Sequence, residues 1–251
     1  MPDISWIVAV GAVAFVLAGF VKGVLGQGLP TVAVGVLSLI MSPGEATALL
    51  IIPAFITNIW QALQGQSLGP LIRRLWPALL ASALGTWAAT FAGLNLLTPD
   101  AAALARKALG VVLILYGMLG ISRMRLQVPP RAEPWLGPIM GGANGVVATA
   151  TGVFMVPVIP YIQALGLSRD DLVQAQGISF SVSTLALAVV LTGTGTLNSS
   201  TMLGSLAALA VTFVGMFAGQ SVRKRMQPDL FRLLFFSMML VLGVHFTFFH
   251  R

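Results

Sequence analysis

The stretch Gly19-Phe20-Val21-Lys22-Gly23-Val24-Leu25-Gly26-Gln27-Gly28-Leu29-Pro30 interrupts two apolar runs, one rising to it from about Ile4 and one leaving it toward Met41. Gly26 and Gly28 bracket a glutamine, and Pro30 suits the first turn of a new helix. The stretch predicts a helix that breaks and restarts within an apolar region. Irregular backbone at membrane depth is tolerated only where protein or a water-filled cavity satisfies its polar groups. The N–H groups that open the second helix would face such a cavity with a positive dipole end, which suits an anion.

The same stretch has a distant counterpart. Gly19 to Leu25 aligns with Gly141-Gly142-Ala143-Asn144-Gly145-Val146-Val147, 122 positions on (19 to 141). Further landmarks follow in the same order. Ser42-Pro43-Gly44-Glu45 matches Ser168-Arg169-Asp170-Asp171, segment 45–64 matches 172–191, and Thr98-Pro99-Asp100 matches Gln227-Pro228-Asp229. In this alignment Lys22 faces Asn144, Thr57 faces Ser183 and Asn58 faces Thr184, while Gln27 and Leu29 face Thr149 and Thr151. Glycine-rich membrane helices also resemble one another because glycine promotes close helix packing; ordered landmarks argue for a repeat instead.

Composition fixes the setting. Of 251 residues 57% are hydrophobic and 8% charged, whereas a soluble domain carries roughly a quarter charged residues. A soluble enzyme is excluded, and so is a disordered chain, which needs low hydrophobicity and high charge. Ten apolar segments emerge, at about 4–21, 29–41, 45–64, 75–93, 107–121, 136–148, 152–165, 172–191, 201–221 and 231–249. The expected fold is an all-α polytopic membrane protein, with segments 29–41, 136–148 and 152–165 too short to cross as straight helices. The first apolar run has no basic residues before it and no clean cleavage site, so a retained helix is expected rather than a signal peptide.

If all ten segments cross with the N-terminus outside, the inner side collects Lys22, Arg73, Arg74, Arg123, Arg125, Arg131, Arg169, Arg223, Lys224, Arg225 and Arg232, eleven of the 14 basic residues. Arg106, Lys107 and Arg251 remain outside. That asymmetry obeys the positive-inside rule and puts both termini outside. The charged, proline-containing stretch 122–135 then reads as a cytoplasmic linker between a first repeat, 1–121, and a second, 136–251. Five segments per half is odd, so the halves enter with opposite polarity. An inverted-topology repeat of this kind is a signature of secondary transporters, with a site near mid-membrane between broken helices. The net charge of +7 is spread between apolar stretches, which argues against nucleic-acid binding.

Candidate site residues follow from this frame. Gly26, Gln27 and Gly28 form the first break, and Thr149 and Thr151 offer hydroxyls from the second half. Asn58 and Gln61 share a helix face three residues apart, and the matching helix of the second half is richer still in polar residues, Gln176 and Ser179 among them. Neutral donors of this sort would bind an oxyanion without trapping it; interhelical hydrogen bonding is the competing role. Lys22 stands at the inner end of the first helix, as a snorkelling anchor or as an attractor of anions at a cytoplasmic mouth. Asn144 holds the matching place. None of the seven acidic residues (Asp3, Glu45, Asp100, Glu133, Asp170, Asp171 and Asp229) falls in the middle of a segment. That argues against a carboxylate proton or sodium relay. His245 could titrate in the last helix, though a packing role fits it better. There is no cysteine, no catalytic or ATP-binding motif, and no reason to expect a metal or cofactor. Transport would run on gradients or membrane potential.

At these residues the chain resembles the sulfite exporter TauE/SafE family. The family pattern, Gly-x-x-x-Gly-x-x-Gly-x-Gly-Gly followed by an apolar segment with proline, occurs once in each half. Here the first copy is Gly19 to Gly28, and the second runs from Gly141 to Gly152 and on to Val156-Pro157. The copies depart from the pattern at Leu29-Pro30, where a further glycine is favoured, and at Ala148-Thr149-Ala150-Thr151, where glycine and isoleucine are usual. The resemblance implies a permease of the bacterial inner membrane that exports a small anion such as sulfite, sulfoacetate or another organosulfonate. An anion channel of the same fold and a non-transporting membrane scaffold are the alternatives. The lipid bilayer is the expected partner, and a homo-oligomer remains open.

Overall fold

The computed structural model describes residues 4–122, 126–223 and 228–249. Among the sequence landmarks, Asp3, Arg123, Arg125, Lys224, Arg225, Gln227, His250 and Arg251 lie outside the described residues. Ten α-helices and no strand occur among those described: α1 (Ile4–Leu25), α2 (Leu29–Leu37), α3 (Pro43–Leu63), α4 (Leu68–Phe91), α5 (Ala102–Ile121), α6 (Glu133–Thr151), α7 (Val158–Gln163), α8 (Arg169–Gly193), α9 (Ser199–Arg223) and α10 (Pro228–Val244). A 3₁₀ turn, Pro99–Ala101, leads into α5, and a π turn, His245–Phe249, ends α10. Six segments, from α1, α3, α5, α8, α9 and α10, are long and apolar enough to cross a membrane.

Local sequence signals account for the helix starts. Ser42 caps α3: its hydroxyl accepts from the Glu45 N–H at 3.2 Å, and Glu45 Oε2 accepts from the Ser42 N–H at 2.8 Å. Ser168 caps α8 without the reciprocal backbone contact: its hydroxyl accepts from the Asp171 N–H at 3.1 Å and donates to Asp171 Oδ2 at 2.8 Å. These caps stand at aligned positions, and each satisfies N–H groups that a helix start leaves without partners.

Two boundaries differ from the sequence expectation. The segment expected at 136–148 is a 19-residue helix, α6, because Pro134 sits in its first turn, where the missing N–H costs nothing. At 1.5 Å per residue it is about 28 Å long, a spanning length, although it is not among the six segments that are also apolar enough. The segment expected from 75 begins at Leu68 and continues through Pro77, so Arg73 and Arg74 lie within α4. Arg74 is tied there by two hydrogen bonds to the Glu133 carboxylate, at 2.6 and 2.9 Å, and one to the Leu165 carbonyl at 3.1 Å. Only α2, with nine residues, and α7, with six, are too short to cross.

The exterior is apolar, with Trp6, Leu17, Leu84, Phe91, Leu203 and Val241 among its exposed residues. The interior mixes apolar side chains with buried Lys22, Gln27, Asn58, Asn144, Gln176 and Ser183. That inverts the usual soluble arrangement and suits lipid as solvent.

Helices of the first half pack on helices of the second: α1 on α9, α4 on α6, α3 on α8 and α5 on α10. The first two contacts are made backbone to backbone. A Cβ added at Gly19 or Gly23 would collide with the carbonyl oxygens of Thr212 or Met216 on α9, and one at Gly215 or Gly219 with those of Val16 or Phe20 on α1. Gly141 and Gly145 stand in the same relation to Ala78 and Ser82 on α4. Close packing is thus a demonstrated use of these four motif glycines. Pro53 interrupts α3, leaving the Leu49 carbonyl without its helical N–H donor. The Ser205 hydroxyl of α9 replaces that donor at 2.8 Å and accepts from the Ile52 N–H at 3.1 Å. Neighbouring side chains thus repair a broken helix where no water is at hand.

Gly145→Val and Gly219→Val are expected to lower stability by about 2–3 kcal/mol each through overpacking. Gly11→Ala, where nothing lies within 4 Å of the added carbon, should be neutral. Unfolding midpoints of the detergent-solubilised variants would check this.

Candidate anion-binding site

α1 ends at Leu25, and α2 begins at Leu29 with Pro30 in its first turn. Gly26 and Gly28 take φ values of 75° and 100°, a region that L side chains rarely adopt. A side chain at Gly28 would in addition press on Val21 and Phe235. The expected break is therefore present, and it turns Gln27 inward: this residue is buried, and its Oε1 accepts from Gln176 Nε2 at 3.1 Å. The second interruption spans residues 152–157, between α6 and α7, and includes a cis Val156–Pro157 bond. The two broken regions meet where the Thr31 hydroxyl contacts the Met155 sulfur.

Lys22 does not reach outward from the end of α1. It is 4% exposed, and its Nζ donates to Thr57 Oγ1 at 3.0 Å and to Asn58 Oδ1. Asn58 Nδ2 donates in turn to Thr184 Oγ1 at 3.4 Å, and the Thr184 hydroxyl donates to the Phe180 carbonyl at 2.7 Å. The ammonium thus heads a chain of oriented dipoles that runs from α1 through α3 to α8. Among the described residues the one ion pair is Arg74–Glu133, so Lys22 faces no carboxylate. A lysine has three N–H donors, and Thr57 and Asn58 accept from two. A buried ion without an opposite charge is costly in a low-dielectric interior.

Asn144 occupies the related place in the second half. It is fully buried, and its Nδ2 donates to Ser82 Oγ at 3.1 Å and to Ser183 Oγ at 3.4 Å. Lys22 donates to Thr57 and Asn144 donates to Ser183; the sequence alignment places Lys22 opposite Asn144 and Thr57 opposite Ser183. Ser82, which the sequence reading passed over, joins them, 3.3 Å from Ser183.

Along one side of α8, Gln176, Ser179 and Ser183 follow one another at helical spacing. Gln176 meets the first break and Ser183 meets α6. Between them the Ser179 hydroxyl is buried without a hydrogen-bond partner, as is Asn144 Oδ1. Most buried polar atoms find partners, so two orphans beside one polar track suit a guest.

The other candidates sit apart from this track. Thr149 donates to the Gly145 carbonyl at 2.9 Å and the Thr86 carbonyl at 3.2 Å. Thr151 donates to the Val147 carbonyl at 2.7 Å and accepts from the Val153 N–H at 3.1 Å. Their hydroxyls are taken up by backbone. Gln61 donates to the Val173 carbonyl at 2.7 Å and lines a cavity of about 630 Å³ with Gln64, Asp170, Asp171 and Gln174. A second cavity, of about 680 Å³, reaches Gln27 from between α5, α7 and α10. Among the described residues no cluster of His, Cys, Asp and Glu could hold a metal ion.

A family model described as sulfite exporter TauE/SafE matches residues 11–246. No curated protein and no solved structure matches the chain.

Asn58→Ala removes an acceptor from the buried ammonium and is expected to cost about 2 kcal/mol of stability, in line with hydrogen bonds to charged groups. Replacing both partners, as in Lys22→Met with Asn58→Leu, should recover most of that loss. The thermal unfolding midpoints of the single and double variants in detergent would check it.

Proposed function

Because the chain belongs to the sulfite exporter TauE/SafE family, whose members are membrane transporters and not enzymes, we propose that it exports a small sulfur oxyanion or organosulfonate across the bacterial inner membrane, using Lys22 as the charge that receives the anion. One observation carries this reading: a lysine buried among neutral acceptors, with no carboxylate beside it among the described residues. An oxyanion placed on the third N–H of that ammonium supplies the missing charge. The orphan Ser179 hydroxyl and the amide donors of Gln27 and Gln176 line the approach. Gly26 and Gly28 keep it clear by holding the chain in a turn that closes no helix over it.

The reading includes inverted repeats, 1–121 and 136–251, joined by the linker 122–135. Support comes from the exchange of partners between the halves, α1 with α9 as α4 with α6, and from the aligned hydrogen-bonded pairs at Lys22 and Asn144. With both termini outside, a negative-inside potential favours anion exit by about 2.3 kcal/mol per charge per 100 mV. That suffices without a carboxylate relay.

The test uses purified protein in sealed liposomes loaded with sulfite or 1-propanesulfonate. Saturable efflux should follow an imposed inside-negative potential and be stimulated by unlabelled anion on the far side. Lys22→Gln should lower the flux on the order of 100-fold, the loss of one charge-assisted contact in a dry site. Unchanged flux in a folded Lys22→Gln protein would remove Lys22 from the mechanism, and saturable flux without counter-stimulation would make the protein a channel.

A further inference from the structure

We infer that the 680 Å³ cavity between α5, α7 and α10 is a second anion-binding site, selective for organic oxyanions, in series with the Lys22 centre. This deepens the permease reading and rests on it. The cavity is lined by Gln27, Tyr116, Gln163 and Arg232 and by apolar Leu119 and Phe236, among others. It lies where α5 ends and α10 begins, the end of the bundle that the positive-inside reading assigns to the cytoplasm.

Three donor-bearing side chains line it. The Tyr116 hydroxyl is buried and without a hydrogen-bond partner. Its ring is fixed edge-on against Phe235 and Phe236, with centroids 6.2 and 5.1 Å away. Arg232 spends its Nε and Nη2 on the Gly120 carbonyl, at 3.1 and 2.7 Å, and lies over the Phe236 ring at 6.0 Å. A guanidinium has five N–H donors, so others remain for a ligand. Gln27 uses its oxygen on Gln176 and keeps amide hydrogens to give. A cation, a phenol and an amide against an apolar wall match an oxyanion head that carries a short hydrocarbon piece. The volume falls in the range of small-molecule sites and far exceeds what an inorganic oxyanion fills. Gln27 belongs to both places, on the cavity wall and in the Gln27–Gln176 pair, so an anion leaving the cavity meets the polar track of α8 next.

Equilibrium binding of labelled 1-propanesulfonate to the full-length protein in detergent tests this without requiring transport. The wild type should hold two anions per chain, and Lys22→Gln should hold one. In the Lys22→Gln background, Arg232→Gln and Tyr116→Phe should each weaken the remaining binding by roughly tenfold. Sulfite should displace that anion at least several-fold less well than propanesulfonate, because it lacks the buried carbons. Tyr116→Phe keeps the ring packing and so guards against a folding artefact. One site in the wild type that vanishes in Lys22→Gln would overturn the inference, as would a second site indifferent to both cavity substitutions, or no binding at all. One site that survives Lys22→Gln and weakens with Arg232→Gln would uphold the cavity and sink the Lys22 assignment instead.

Discussion

Backbone touches backbone where α1 crosses α9 and where α4 crosses α6, and most of the architecture depends on those two seams. Between apolar helices in lipid the hydrophobic effect supplies little attraction, so close packing and hydrogen bonds must hold them together. Gly19, Gly23, Gly215 and Gly219 make one seam; Gly141 and Gly145 make the other. Each joins a helix of one half to a helix of the other. The two helices left at the centre, α3 and α8, therefore meet face to face, and their polar side chains fall in the interior.

The interior shaped in this way is unusual in what it keeps from water. The Lys22 amine sits among hydroxyl and amide oxygens, which accept from it but bring no opposite charge. Proteins keep uncompensated buried ions rarely, and in membranes such residues mark pathways and ligand sites. The repair of Pro53 by Ser205 shows how fully backbone groups elsewhere in α3 are satisfied. Against that background the unpartnered Ser179 hydroxyl and Asn144 Oδ1 stand out.

How much of this could be read from the chain depends on the kind of signal. The stretches Ser42–Glu45 and Ser168–Asp171 stood out as landmarks, and their use as helix caps is a local signal of the kind a sequence carries. The pairs Lys22/Asn144 and Thr57/Ser183 came from aligning ordered landmarks, at offsets of 122 and 126. The direction of Lys22 was not: a lysine three residues from a helix end can snorkel outward or turn in, and the same sequence serves both. The segment expected at 136–148 missed the first turn of α6, where Pro134 stands, and its last residues, Thr149 to Thr151. Thr149 and Thr151 promised hydroxyls, but a threonine inside a helix can give its proton to the carbonyl four residues back, and both do. Ser82 gave no warning, sitting alone in the run Leu79-Leu80-Ala81-Ser82-Ala83.

The exchange of partners between halves also sets a timetable for biogenesis. α1 ends at residue 25, and α9, its glycine-matched partner, begins at residue 199. At about 5–20 residues per second, a ribosome needs roughly 9–35 s to make the 174 residues between them (199 less 25). Throughout that interval the grooved face of α1 lies open to lipid, and the lysine at its end has neither Thr57 nor Asn58 beside it until α3 arrives. Truncation before α9 would leave the glycine face of α1 without the helix it closes against.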